Sequence, residues 1–209
     1  MANATAKAST KREMDKEARR QSILDAAKKI FADKGFHETS VSDIVREAGI
    51  AQGTFYLYFE DKKAVFGEIV DDLMNTLIGF FTIRDISRIQ STQDMEAVVR
   101  RISGPLITFF QENRDLGKIF IREAMGTGLG LEKKILAFYD RVIQLGTTYF
   151  EHFRKEGHIR KDIDARVGMN FLIGGAQMII YRWVTEGIDV SEAEIVHSVA
   201  NLCLSLFQD

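Results

Sequence analysis

The chain has 209 residues, 45% of them hydrophobic and 28% charged, and its 28 basic and 30 acidic side chains give a formal net charge of −2. This composition is typical of globular proteins and excludes a chain too polar to form a core. Cys203 is the single cysteine, which excludes an intramolecular disulfide framework and a cysteine-cluster zinc site. One proline in the whole chain favours long helices.

The sequence contains no signal for secretion or membrane insertion. Residues 1–10 are small and polar and lack the apolar segment of a secretory signal. The longest uncharged stretch, 167–181, has 15 residues, fewer than the ~20 that cross a bilayer. We therefore expect a cytoplasmic protein that makes no membrane contact.

Basic residues are enriched near the start of the chain. Residues 1–66 carry 12 basic and 10 acidic groups, whereas the remainder has an acidic excess. The basic residues that form a candidate arm are Lys11, Arg12, Arg19 and Arg20. Such an arm would enter a DNA minor groove or follow phosphates, but a solvated tail explains it equally well because acidic residues alternate with the basic ones.

A first helix is predicted from about Lys16 to Gly35. Its apolar face consists of Ile23, Ala27, Ile30 and Phe31. Gly35 suits the left-handed position after the helix, and Phe36 suits the apolar position that follows in a Schellman motif.

Two shorter helices follow. Ser40 and Asp43 form a variant capping box at the start of the second helix, and Gly49 ends it. The third helix is predicted over 52–59. Two short helices joined by a tight turn that contains glycine are the geometry of a helix-turn-helix.

The rest of the chain has helical periodicity throughout, which predicts an all-α protein. The predicted segments are 62–81, 94–113, 115–125, 131–155, 164–186 and 191–207, with loops near 87–92 and over 126–130. Gly104 and Pro105 predict a break or kink in the second of these segments. We expect a three-helix helix-turn-helix domain with its arm over 1–66 and a helical-bundle regulatory domain over 67–209.

A run of residues in the first domain resembles the N-terminal domain of the TetR family of transcriptional regulators. The residues that carry the resemblance are Gly35–Phe36, Thr39–Ser40–Val41, Asp43–Ile44, Ala48–Gly49–Ile50, Gly53 to Phe59, Lys62–Lys63 and Val65–Phe66. The match covers about 21–66, and beyond it the resemblance is one of architecture. Ala51 departs from the family, which usually has a hydroxyl residue there, so the third helix lacks a side-chain N-cap.

The third helix is the candidate reader of the DNA major groove. Its exposed residues are expected to be Gln52, Gly53, Thr54, Tyr56, Leu57 and Tyr58. Gln52 pairs well with adenine, Leu57 suits a thymine methyl, and Gly53 lets the backbone approach phosphate. Taken singly, these are ordinary exposed or packing residues, and only their spacing favours DNA contact. The resemblance also implies phosphate contacts from Thr39, Ser42 and Lys62.

The last two helices are candidates for a homodimer interface through 164–187 and 191–207. The first is apolar nearly all round, and the second carries two apolar stripes. The family dimerises through its last two helices, and a dimer would present two reading helices to a palindrome. The alternative is that these helices form the centre of a monomeric bundle.

The resemblance also implies a ligand cavity within the regulatory helices. The candidate ligand-binding residues are Phe120, Arg122, Phe138, Asn170 and Gln177. The aromatic content favours an apolar, aromatic or acyl ligand. Most of these aromatic residues are equally explained as core, and Arg122 with Glu123 as a structural ion pair.

These patterns predict a ligand-responsive transcriptional regulator, by family default a repressor, that binds a palindromic operator as a homodimer and is released by a small apolar molecule. The first alternative is an architectural or cell-cycle DNA-binding protein of the same fold without an inducer. The second is a helical enzyme or lipid carrier. We expect no enzyme activity, cofactor, catalytic residue or metal site, since chance explains the histidines at 152 and 158.

Overall fold

A computed structural model describes residues 2–83, 89, 91–124, 131–159 and 162–205. Regular structure in these ranges is helical, which confirms the all-α prediction. The helices are α1 (Ala2–Lys34), α2 (Val41–Glu47), α3 (Gln52–Phe55), α4 (Lys62–Phe81), α5 (Thr92–Glu112), α6 (Arg114–Ala124), α7 (Glu132–Lys155), α8 (Ala165–Thr185) and α9 (Glu192–Leu204). The chain divides into two compact units, Met1–Asp72 and Leu73–Asp209.

Helix α1 is longer than the sequence pattern predicts, because it begins at Ala2 rather than near Lys16. Alternating alanines in its first turns have high helix propensity, so the helix continues without an apolar face there. At its other end Gly35 has a φ of 81°, and its N–H donates to the Phe31 carbonyl (2.9 Å). This bond is the αL type of helix ending, whereas the sequence predicts the Schellman type.

The start and the end of α2 are as predicted. The Asp43 N–H donates to Ser40 Oγ (3.1 Å), and the Ser40 N–H donates to Asp43 Oδ2 (3.0 Å), which completes the capping box. After α2, Gly49 has a φ of 64°. The Ile50 N–H donates to the Val45 carbonyl (3.0 Å), as in a Schellman motif. These local bonds set the turn that leads into α3.

Helix α3 ends at Phe55, and the prediction that it runs to Phe59 is wrong. The Leu57 N–H donates to the Thr54 carbonyl (3.2 Å), so the chain tightens into turns after Phe55. A helix this short is marginal by itself, and packing decides its path. Ala51 provides no side-chain cap, as predicted.

The second unit contains α5 to α9 and the end of α4. Helix α5 continues through Pro105, so of the predicted break or kink the break is wrong and the kink stays a prediction. A helix tolerates the φ that proline imposes, and the exposed position of Pro105 leaves the carbonyl that loses its donor near water. The predicted loop at 126–130 and half of the one at 87–92 (87, 88 and 90) lie outside the described residues.

Glycine or a capping side chain marks one end of each of the last three helices. After α7, Gly157 has a φ of 85°, and the His158 N–H donates to the Phe153 carbonyl (2.9 Å). Asp164 caps α8, and Ser191 with Glu194 forms a capping box on α9. One core cluster comprises Ile89, Met95, Phe150, Phe153, Ile159 and Ala165. In the described part of the chain, every helix is too short or too polar to cross a membrane.

Candidate nucleic-acid interface and ligand cavity

The segment of α3 and its following turn combines two buried anchors with an exposed surface. Phe55 is fully buried and Phe59 nearly so. Between them, Tyr56 is 52% exposed and Leu57 is 78% exposed. The other predicted reading residues share this segment: Gln52 and Gly53 are exposed, and Thr54 and Tyr58 are half-buried. An exposed leucine beside buried aromatic anchors is a candidate contact surface, and we call 52–58 the reading segment.

Arg20 holds the anchor of the reading segment in place. Its guanidinium carbon lies 4.9 Å from the centroid of the Phe59 ring, and both of its terminal nitrogens donate to the Glu68 carboxylate. The hydrogen bond to Glu68 raises the pKa of Arg20 above its usual value. This member of the candidate basic arm therefore packs within the first unit. Arg19 is exposed, and the side chains of Lys11 and Arg12 lie outside those described.

The three residues for which the resemblance implies phosphate contacts differ in exposure. Ser42 is exposed at the start of α2. Thr39 is 1% exposed, and its hydroxyl donates to the Gly35 carbonyl (2.7 Å). The Lys62 ammonium donates to backbone carbonyls that include that of Thr39 (2.6 Å). The positions of Thr39 and Lys62 therefore support a role in holding the backbone.

Large apolar side chains are exposed along α8 and at one position of α9. Phe171 is 80% exposed, Val167 67%, Met178 54% and Leu202 60%. Large apolar side chains exposed together are typical of a surface that another protein covers. We call these four residues the apolar stripe.

The second unit contains a cavity of about 240 Å³. Its walls come from α5 to α9 and from the part of α4 after Asp72. Most of the lining is aliphatic or aromatic, including Phe110, Phe120, Phe138, Phe150 and Phe153. A cavity of this size and chemistry has room for a small apolar molecule.

Three of the five predicted ligand-binding residues line the cavity. Phe120 and Phe138 meet edge to face with ring centroids 5.5 Å apart, and Gln177 lies in the same wall. Asn170 does not line it: the residue is exposed, and its Nδ2 donates to the Arg166 carbonyl (2.8 Å). The side chain of Arg122 lies outside those described.

Sequence reasoning missed the hydroxyl groups of the lining. Ser103, Tyr139 and Tyr149 are all among the residues that line the cavity. Ser103 Oγ and Tyr139 Oη are buried without a hydrogen-bond partner among the described residues. Ser103 sits among apolar residues on α5, and Tyr139 adjoins Phe138 on α7. A hydroxyl residue on the apolar side of a helix is the signal that points to them.

Comparison with known proteins agrees with this arrangement. Residues 23–69 match the family model of bacterial regulatory proteins of the tetR family. The HTH-type transcriptional repressor KstR2 of Rhodococcus jostii is 27% identical over 200 residues, which cover 93% of this chain and 91% of the relative. The fatty acid metabolism regulator protein of Bacillus subtilis is 24% identical over 183 residues, covering 88% and 92%.

A solved structure has the same fold. The transcriptional regulator FadR from Bacillus subtilis, in complex with stearoyl-CoA, superposes with a TM-score of 0.70 at 21% identity and covers 90% of this chain and 99% of that one. The first unit of the chain therefore contains a helix-turn-helix DNA-binding domain of a bacterial transcription factor. Residues 23–69 thus carry the tetR-family domain, and the relatives that match about nine-tenths of this chain are named as regulators.

Proposed function

We propose that this regulator is a repressor that binds a palindromic operator as a homodimer and leaves it when a small apolar molecule fills the cavity of the second unit. The cavity itself carries the proposal, because it is the feature that an architectural DNA-binding protein without an inducer would not need. Two similar proteins support this class of function: one relative is named a repressor, and one solved structure contains stearoyl-CoA.

In this proposal the reading segment enters the major groove. Leu57 and Tyr56 are exposed enough to contact DNA, while Phe55 and Phe59 fix the backbone behind them. Gln52 and Thr54 would hydrogen-bond base edges or phosphate, and Tyr58 would donate its hydroxyl to phosphate. Ser42 is exposed and available for a further phosphate contact.

The apolar stripe would be covered by a second copy of the chain. A two-fold axis beside Phe171 would bring α8 and α9 of two protomers into a four-helix contact. Gly174 and Gly175 are exposed on α8, and an added Cβ at either position meets open space in this chain. Such small residues would let the partner helix approach closely. Two reading segments related by this axis would match successive major-groove faces about 34–36 Å apart.

Helix α4 is the proposed connection between ligand and operator. It runs from Lys62 in the first unit to Phe81 in the second, where Leu77 and Phe81 line the cavity. A ligand that favours one position of α4 would favour one spacing of the two reading segments. Because linkage is reciprocal, the operator would weaken ligand binding by the same factor.

Selection of binding sites from random duplex DNA tests the proposal. We expect the selected sequences to form a palindrome with half-sites about one helical turn, or a multiple of it, apart. Only weak binding without sequence preference would favour an architectural protein, and an absence of DNA binding would favour a lipid carrier. The same selection with a Phe171→Glu variant shows whether the palindrome depends on the dimer.

A further inference from the structure

Two polar atoms in the cavity wall have no hydrogen-bond partner among the residues that the structure describes, although the wall is otherwise largely apolar. Ser103 is 6% exposed, and its Oγ lacks a hydrogen bond within the described residues, as does the Tyr139 hydroxyl. Ser103 lies on α5 and Tyr139 on α7, and both line the same cavity. A buried hydroxyl without a partner is destabilising, so two of them in one wall require an explanation.

A third hydroxyl in the same wall, that of Tyr149, differs from these two because it has hydrogen-bond partners. Tyr149 donates to the Phe81 carbonyl (3.1 Å) and accepts from the Ile83 N–H (2.9 Å). The fold thus satisfies Tyr149 internally, while Ser103 and Tyr139 have hydrogen-bonding capacity left for another molecule. Burial raises the pKa of Tyr139 to about 12, so its hydroxyl keeps its proton and can donate.

The rest of the described lining is uncharged. Gln177 and Cys203 are its other side chains with polar atoms or a thiol, and burial raises the pKa of the Cys203 thiol to about 11, which keeps it neutral. Arginine, lysine, histidine and carboxylate side chains are absent from the lining within the described residues. A carboxylate that entered this wall would lose its hydration without gaining an ion pair, which is strongly unfavourable.

We propose that the effector is a neutral apolar molecule with one carbonyl oxygen, as in a ketone or an ester, and that the hydroxyls of Ser103 and Tyr139 both donate to that oxygen. A carbonyl oxygen has two lone pairs and can accept from both donors at once. The inference rests on the proposed ligand-binding role of the cavity and adds the chemical class of the ligand.

A series of ten-carbon probes tests this assignment on the full-length protein. Decane, decan-2-one and decanoate share a chain length and differ in their oxygen atoms. Their affinities are measured by calorimetry or by displacement of an apolar fluorescent dye. We expect decan-2-one to bind more tightly than both others, with each hydroxyl contributing about fivefold over decane. Ser103→Ala and Tyr139→Phe would each lose about that factor for the ketone and leave decane binding unchanged.

Tyr149→Phe is the matched control, because it removes a tyrosine hydroxyl from the same wall that already has partners. We expect it to keep the ratio of ketone to alkane affinity even if it lowers the melting temperature. Equal binding of decane and decan-2-one, or a ratio unaffected by Tyr139→Phe, would overturn the inference while leaving the cavity a ligand site. Preference for decanoate that Arg122→Gln abolishes would overturn it in favour of a charged ligand. Failure of all three probes to bind would count against the proposed ligand-binding function itself, and the operator selection would still report DNA recognition separately.

Discussion

The ammonium nitrogen of Lys62 lies 2.6 Å from the carbonyl oxygen of Thr39 and donates a hydrogen bond to it. The same nitrogen donates to the carbonyls of Phe36 (2.8 Å) and His37 (3.0 Å). An ammonium group has three donors, and these three acceptors use all of them. Lys62 therefore ties the start of α4 to the segment that joins α1 and α2.

Replacing Lys62 by methionine should weaken the first unit without removing a phosphate contact. Three carbonyl oxygens lose a charged donor, so we expect a loss of about 1–3 kcal/mol in the free energy of unfolding. The slope of the logarithm of operator affinity against the logarithm of salt concentration should stay unchanged. Lys63→Met is the control, because Lys63 is the exposed neighbour on the same helix. Unchanged stability together with a salt slope reduced by about 1 would instead place Lys62 on a phosphate.

Gly53→Ala should separate DNA contact from folding. An added Cβ at Gly53 meets no atom within 4 Å, and alanine is a better helix former than glycine. We expect the melting temperature to be kept or raised, while operator affinity falls because the methyl group keeps phosphate from the backbone. Thermal unfolding and DNA titration measure the two effects.

Gly49→Ala is the contrasting glycine variant. Its Cβ also meets open space, but Gly49 has a φ of +64°, which costs a residue with a side chain about 1–2 kcal/mol. The free energy of unfolding should therefore fall in Gly49→Ala and not in Gly53→Ala. Unchanged operator affinity in a stable Gly53→Ala variant would show that DNA does not approach this backbone.

Asp43→Asn should change how the free energy of unfolding depends on pH in the acid range. Hydrogen bonds from Ser40 and the proximity of Lys34 hold the pKa of Asp43 well below its usual 3.8. A carboxylate whose pKa is lowered in the folded state stabilises the fold fully above pH 3.8, its usual pKa. This stabilisation is lost as the pH falls through the pKa of the folded state. The difference in stability between the wild type and Asp43→Asn should therefore shrink as the pH falls below about 4. Denaturant titrations at several pH values measure it, and Asp33→Asn, an exposed site on α1, is the control. Parallel curves for wild type and Asp43→Asn would contradict this assignment.

Phe171→Glu should convert the proposed dimer to a monomer. Phe171 is 80% exposed in the single chain, so the charge leaves the fold intact but would be buried unpaired at an interface. Sedimentation equilibrium measures the mass. Leu136→Glu is the matched control, since Leu136 is 63% exposed on α7 and lies outside the apolar stripe. If Phe171→Glu remains a dimer, or the wild type is a monomer, the interface lies elsewhere or is absent.

The two ends of α2 were predictable, because their signals are local. Ser40 and Asp43 form their capping box within four consecutive residues, and Gly49 supplies the left-handed turn after α2. Packing across the fold decides the features that were not predicted. The length of α3 depends on burying both Phe55 and Phe59, and periodicity alone extended it too far.

The cavity lining was only partly predictable for a related reason. Helix α8 is apolar on most sides, so its sequence does not distinguish the face toward the cavity from the face toward solvent. Gln177 lies on the first face and Asn170 on the second. Ser103 was missed because a small polar residue beside Gly104 and Pro105 is also typical of a helix break.

The most direct test of operator recognition compares the wild type with a Thr54→Ala/Tyr56→Ala variant on the selected operator at two salt concentrations, with Leu136→Ala as a control for surface truncation. Both residues lie in the reading segment, and Tyr56 is 52% exposed, so the variant should fold. We expect a loss of roughly 1–3 kcal/mol per lost contact to a base, with weak, salt-dependent binding to random DNA retained. Equal affinity of the wild type and the double variant for the operator would contradict recognition of DNA by this segment.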